Sequence, residues 1–132
     1  MPNKIHKSID EWREILPADI FAITRANGTE PAFNNAYWNN KQRGLYKCSN
    51  CNLTLFSSES KFDSGTGWPS FWKPYRGENV EYLTDNSAGM ERTEIICARC
   101  GSHLGHLFHD GPAPTGLRFC MNSAALVFVK KV

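Results

Sequence analysis

Two CxxC units, Cys48-Ser49-Asn50-Cys51 and Cys97-Ala98-Arg99-Cys100, stand 45 residues apart and constrain this chain more than anything else in it. A two-residue gap lets both sulfurs of one turn approach a single metal ion, with the turn's backbone N–H groups free to point at the thiolates. Two such turns supply four soft donors in a tetrahedron, the closed arrangement of a structural zinc site. Both units follow strand-like residues, Leu45-Tyr46-Lys47 and Glu94-Ile95-Ile96. Two disulfides, a dithiol redox centre or iron are the alternatives, and the pairing of two units favours one structural zinc held by Cys48, Cys51, Cys97 and Cys100. Such a metal contributes on the order of 10 kcal/mol to folding. Four thiolates leave no open position for water, so any chemistry lies elsewhere.

The other cysteine is Cys120, an odd thiol that full pairing would leave over. Met1 to Asp10 has no apolar segment that would make a signal peptide. No run approaches the roughly eighteen apolar residues of a membrane span. The expectation is a soluble, cytoplasmic protein in a reducing compartment, where cysteines serve as ligands or catalysts. A net charge of +2, from 15 basic and 13 acidic residues, is too balanced to suggest a nucleic-acid or membrane partner. A hydrophobic content of 41% argues against disorder, and 132 residues suit a single domain spanning 1–132.

In Arg118-Phe119-Cys120-Met121-Asn122-Ser123, strand alternation puts Arg118, Cys120 and Asn122 on one side and Phe119 and Met121 in the core. A cation near a cysteine lowers its ordinary pKa of about 8.5 towards the reactive thiolate. A small buried hydrophobe is the competing account of Cys120. His103, His106 and His109 recur at three-residue spacing in a glycine-rich stretch, three of the four histidines in the chain. Imidazoles exchange protons near neutral pH, and a cysteine paired with a histidine is a catalytic arrangement. Gly65-Thr66-Gly67-Trp68-Pro69-Ser70-Phe71-Trp72 is an aromatic loop in which Trp68 could wall an apolar pocket for a thioether methyl group, or merely pack on the surface.

The local pattern predicts a short helix from a Ser8–Glu11 capping box through Trp12, Ile15 and Leu16 to Pro17, and a second from Pro17 to Ala22. Strands are expected at Leu45 to Lys47, Leu53 to Ser57, Val80 to Thr84, Met90 to Cys97, and singly or paired over Leu117 to Val129. Long loops are expected over Asp63 to Gly77 and Gly101 to Gly116.

Taken together these pieces resemble the methionine-R-sulfoxide reductases of the B type. The likeness runs from Trp12 to Phe128 through Thr24-Arg25, Gly28-Thr29-Glu30, both CxxC units and Lys61-Phe62-Asp63-Ser64-Gly65-Thr66-Gly67-Trp68-Pro69-Ser70-Phe71. It continues in Cys100-Gly101-Ser102-His103-Leu104-Gly105-His106, Asp110-Gly111-Pro112 and Pro114-Thr115-Gly116-Leu117-Arg118-Phe119-Cys120-Met121-Asn122-Ser123.

The resemblance implies a mainly β fold, two small antiparallel sheets packed at an angle and stapled by zinc on the side away from the active site, with short N-terminal helices. It implies Cys120 as nucleophile, Trp68 against the substrate's methyl group, and His103, His106 and Asn122 around the sulfoxide oxygen. His103 is the first choice of proton donor, and Arg118 balances charge. Cys120 would attack the sulfoxide sulfur of an oxidised protein or peptide and become a sulfenic acid, a repair step in the response to oxidative stress. The R preference comes from the resemblance alone. Many relatives carry a second, resolving cysteine where this chain has Thr66, so an external thiol is expected to finish the cycle: thioredoxin, glutaredoxin with glutathione, or a small thiol. The rivals are a zinc-ribbon binding module with no special role for Cys120, and a second, hydrolytic zinc on His103 and His106.

Overall fold

The computed structural model describes residues 2–131. Helix α1 (Ile9–Ile15) begins on the expected capping box: the Ser8 hydroxyl accepts the Glu11 N–H and the Glu11 carboxylate accepts the Ser8 N–H. Leu16, held extended ahead of Pro17, ends it. Helix α2 (Ala18–Thr24) runs two residues past the expected Ala22. Nothing there breaks a helix, and the Thr24 hydroxyl donates to the Ile20 carbonyl one turn back.

Nine strands follow: β1 (Gly44–Cys48), β2 (Thr54–Ser57), β3 (Lys61–Phe62), β4 (Ser70–Phe71), β5 (Val80–Asp85), β6 (Arg92–Cys97), β7 (His103–Phe108), β8 (Arg118–Met121) and β9 (Leu126–Lys130). They form two antiparallel sheets, ordered β2-β1-β9 and β3-β4-β8-β7-β6-β5. The fold is therefore mainly β, as expected, with two short helices ahead of the sheets. Among the described residues no helix is long and apolar enough to cross a membrane.

Two expected loops are corrected. Residues 103–108, assigned to a glycine-rich loop, are strand β7, and the first long loop contains the two-residue strand β4. Gly105 hides the strand from a propensity reading, yet the strand requires it. A Cβ built there would fall 1.9 Å from the Cys120 carbonyl oxygen, so only glycine lets β7 lie against β8 at this point. Strand β4 is too short to leave a periodic signal and is fixed by its pairing with β3 and β8.

The core is aromatic and crosses from sheet to sheet. Tyr46 and Phe56 of the smaller sheet meet Phe71 and Phe119 of the larger, with Phe56 stacked on Phe71 at 4.4 Å between ring centres and Tyr46 edge-on to Phe71 at 5.1 Å. Each such pair is worth about 0.5–1.5 kcal/mol beyond its buried area. Phe71 and Phe119 are cross-strand partners, so the same packing that fills the core fixes the register of their neighbours, Ser70 and Cys120.

Candidate functional site

The two CxxC turns have one geometry. Cys48 ends β1 and Cys97 ends β6, and in each turn the residue after the second cysteine donates its N–H back to the first cysteine's carbonyl: Asn52 to Cys48 at 2.8 Å, Gly101 to Cys97 at 2.9 Å. Both donors sit at positive φ, +69° and +77°. The Asn50 N–H also points at the Cys48 sulfur, 3.4 Å away. Because β1 and β6 belong to different sheets, the turns join the two sheets at one spot.

All four sulfurs lie within 4.8 Å of one another, and none is in a disulfide. The Cys48–Cys100 and Cys51–Cys97 separations are 3.6 Å. Four ligands at the usual zinc–sulfur bond length in a tetrahedron stand about 3.8 Å apart, so the donor set fits such an ion. The charges agree. Hydrogen bonding to Cys100 pushes Cys48, Cys51 and Cys97 well above the ordinary thiol range, and the same contacts, that from Cys48 foremost, pull Cys100 far down. Four sulfurs this close resist ionising together, and a divalent cation at their centre would let all four ionise. The cluster can hold a metal ion, and among the described residues it is the one group of three or more such ligands.

Cys120 sits elsewhere, on the central strand β8. Its cross-strand partners are Ser70 on β4 and His106 on β7, and His106 in turn faces Glu94 on β6. Directly opposed residues share a face. One row across four strands therefore carries a hydroxyl, a thiol, an imidazole and a carboxylate. Beside Cys120 opens a cleft of about 110 Å³, lined among others by Trp68, Arg92, His106, Phe108 and Asn122. It shares no residue with the cysteine cluster. Burial pushes the Cys120 thiol up from its ordinary value, while the positive charge of the Arg118 guanidinium pulls it back.

Each expected site residue has a distinct setting. Arg118 forms a two-pronged ion pair with Asp110, Nε–Oδ1 at 2.8 Å and Nη2–Oδ2 at 3.2 Å, and lies 4.2 Å over the Phe108 ring. That pair holds Asp110 below the usual carboxylate range. Trp68 lines the cleft with its indole N–H tied to the Glu30 carbonyl at 2.9 Å. Asn122 also lines it but is largely committed to the scaffold: its oxygen accepts the Glu30 N–H and its amide donates to the Leu104 carbonyl. His106 lines the cleft. His103 does not; it is 3% exposed, with its ring 5.4 Å from that of His106. Burial lowers the His103 pKa. His109 is exposed beyond the end of β7 and stands apart from the pair.

The sequence reading missed the two carboxylates behind the imidazoles. Glu94 reaches His103 Nδ1 at 2.6 Å, and Asp85 reaches His106 Nε2 at 2.7 Å. Asp85 is held far below the carboxylate range by the Ser87 hydroxyl first, then by His106, the Ser87 N–H and Arg92. Ionised, it can only accept, so His106 Nε2 carries the proton and Nδ1 is the nitrogen left for exchange. Glu30 was missed as well. Its carboxylate accepts the N–H groups of Ser123 and Ala124, which fixes the turn just after Cys120. The pattern Arg92-Thr93-Glu94, alternating on a strand beside a cysteine pair, was the available signal for Glu94, and the Gly28-Thr29-Glu30 piece of the family likeness was the signal for Glu30; Asp85 left none.

The SelR domain pattern matches residues 16–130. Curated relatives match over nearly the whole chain. A protein of Synechococcus sp. (strain RCC307) is 54% identical over 96% of this chain and 93% of its own length. One from Leptospira interrogans is 49% identical over 99% and 100%, and one from Acinetobacter baylyi is 55% identical over 93% and 88%. Each is named peptide methionine sulfoxide reductase MsrB.

Proposed function

The chain belongs to the SelR domain family of MsrB-type peptide methionine sulfoxide reductases, and from that membership we propose a one-cysteine catalytic cycle at Cys120. It reduces methionine sulfoxide to methionine. The observation that carries the proposal is the strand register that sets Cys120 opposite His106 in a cleft walled by Trp68.

The substrate is the R epimer, in an oxidised protein or peptide, with its methyl group against the Trp68 ring. The Cys120 thiolate attacks the sulfoxide sulfur. His106 gives a proton to the sulfoxide oxygen as charge grows there, from Nδ1, with Asp85 holding the other nitrogen. His103, braced by Glu94, supports His106 from behind. The oxygen passes to Cys120, which is oxidised to a sulfenic acid as the substrate is reduced to methionine. With Cys48, Cys51, Cys97 and Cys100 gathered in the cluster, no cysteine of the chain is left to resolve it. An external thiol therefore attacks the sulfenic acid, releasing water and leaving a mixed disulfide. A second thiol cleaves that disulfide and restores Cys120. Thioredoxin, or glutaredoxin with glutathione, are reductants of this chemistry.

We assign zinc to the cluster, held by Cys48, Cys51, Cys97 and Cys100. A closed four-sulfur ion supplies no reactive position; it ties the two sheets together. Residues 1–132 are read as one domain, a reading supported by the single core cluster that both sheets share.

The test is direct. Resolved R and S epimers of a methionine sulfoxide peptide are incubated with protein and dithiothreitol, and methionine is followed by chromatography. Loss of the R epimer alone is expected; persistence of both contradicts the proposal. The role given to Asp85 has its own check. Asp85→Asn removes the carboxylate that holds His106 Nε2, and kcat should fall by roughly ten- to a hundredfold with KM little changed. An unchanged kcat would remove Asp85 from the support of the proton donor.

A further inference from the structure

Trp68 has one polar group with which to fix its ring, the indole N–H, and that proton goes to the Glu30 carbonyl at 2.9 Å. The other polar groups of Glu30 are committed to the chain that follows Cys120. Its backbone N–H donates to Asn122 Oδ1 at 3.2 Å. Its carboxylate accepts two successive N–H groups, one on each oxygen: Ser123 on Oε1, and Ala124 on Oε2 at 2.8 Å. These N–H groups open the single turn Ser123–Ala125, and Asn122, the residue before it, makes no side-chain cap. A carboxylate 93 positions earlier in the chain takes that part instead.

Asn35 repeats the arrangement further along the same segment. Its amide donates to the Gly67 carbonyl at 3.0 Å, beside Trp68, and its oxygen accepts the Ser123 hydroxyl at 2.7 Å. The Phe33 N–H donates to the same Gly67 carbonyl at 2.8 Å. A Cβ on Gly67 would run into Phe33 at 2.6 Å, so loop and segment touch directly. Residues 30–35 thus clip together two walls of the cleft, the loop that carries Trp68 and the turn that follows Cys120. The Met121 N–H also holds this loop, at the Pro69 carbonyl, but that bond fixes backbone, whereas the Glu30 bond acts on the Trp68 ring.

We infer that Glu30 is a positioning residue for the reaction: its carboxylate, anchored just beyond Cys120, fixes where the Trp68 ring stands and so shapes the pocket for the substrate's methyl group. The amide isostere does not serve. Glutamine offers one acceptor oxygen and turns a donor NH2 towards the other N–H, which then has no partner. Ser123 is buried, so water does not make good the loss. A binding group must be held within about half an ångström by its supporting shell, so slack at Glu30 weakens binding first. Cys120, His106 and Asp85 lie outside the clip, and the chemical step keeps its groups.

The inference rests on the reading that Trp68 receives the methyl group, but one of its tests needs no substrate. In isotope-labelled, metal-loaded protein the indole N–H signals are followed by NMR, that of Trp68 being assigned with Trp68→Phe, and their exchange with solvent is timed. Glu30→Gln should speed exchange at Trp68 about tenfold and leave the other indole signals alone. With the R epimer, the same variant should raise KM about tenfold and hold kcat within about twofold. Added to Trp68→Ala, Glu30→Gln should raise KM no further, because the ring it positions is gone. Asn35→Ala loosens the clip at its other end and should speed Trp68 exchange by a smaller factor; it carries the test if Glu30→Gln does not melt cooperatively. Unchanged Trp68 exchange in the folded variant overturns the inference, as does a KM rise that adds in full to that of Trp68→Ala. Failure of the reductase reading would show differently, as wild-type protein that reduces neither epimer.

Discussion

Protein carrying Cys97→Ser is expected not to fold. The change removes one of four ligands and leaves a hydroxyl that does not ionise in the thiolate's place. Structural zinc in small domains contributes roughly 10–16 kcal/mol, while a domain of ordinary size has about 5–15 kcal/mol of stability in all. The larger sheet would lose its tie to β1 and, with it, the pressure that holds Phe56 on Phe71. Circular dichroism should show the loss of cooperative melting, and metal analysis should fall from about one zinc per chain to none. Strong chelation of the wild type should do the same. A Cys97→Ser protein that melts like the wild type would mean that the aromatic core suffices and that the metal is dispensable.

Cys120→Ser makes the opposite pair of changes. Activity should drop by at least about a thousandfold, because a serine hydroxyl provides almost no anion at neutral pH and the cycle has no other thiol to begin with. Melting temperature and zinc content should stay at wild-type values, since Cys120 lies in a different cleft and shares no ligand with the cluster. The contrast between the two cysteine variants separates the structural sulfurs from the chemical one. If Cys120→Ser kept its activity, Cys120 would not be the nucleophile and the proposed cycle would fail.

The distances explain what could be read from residues alone. The cysteine pairs were legible because two-residue spacing encodes a local turn, and the turns formed with matching backbone bonds at Asn52 and Gly101. The capping box at Ser8 and Glu11 was legible for the same local reason. Alternation over Arg118 to Met121 held as well, with Phe119 and Met121 buried. Non-local features were another matter. Strand β7 looked like loop because Gly105 breaks its apolar pattern, and the need for that glycine comes from β8, fifteen residues on. Three evenly spaced histidines suggested one cluster, but a strand followed by a turn sends His109 outward. Asp85 and Glu94 gain their meaning from the pairing of β5, β6 and β7, which no single window of sequence contains. Thr66 was noticed for the residue it is not; its contact with Ser64 appears only once the loop closes.

The most direct test of the central claim is one turnover without reductant. Wild-type protein is mixed with an excess of the R epimer of a methionine sulfoxide peptide, and both products are measured: methionine by chromatography, and Cys120 by mass spectrometry after trapping with dimedone. The account predicts about one methionine per chain, a matching amount of trapped sulfenic acid on Cys120, and no disulfide between Cys120 and any other cysteine of the chain. Methionine formed with Cys120 unmodified, or with Cys120 in an internal disulfide, would contradict it.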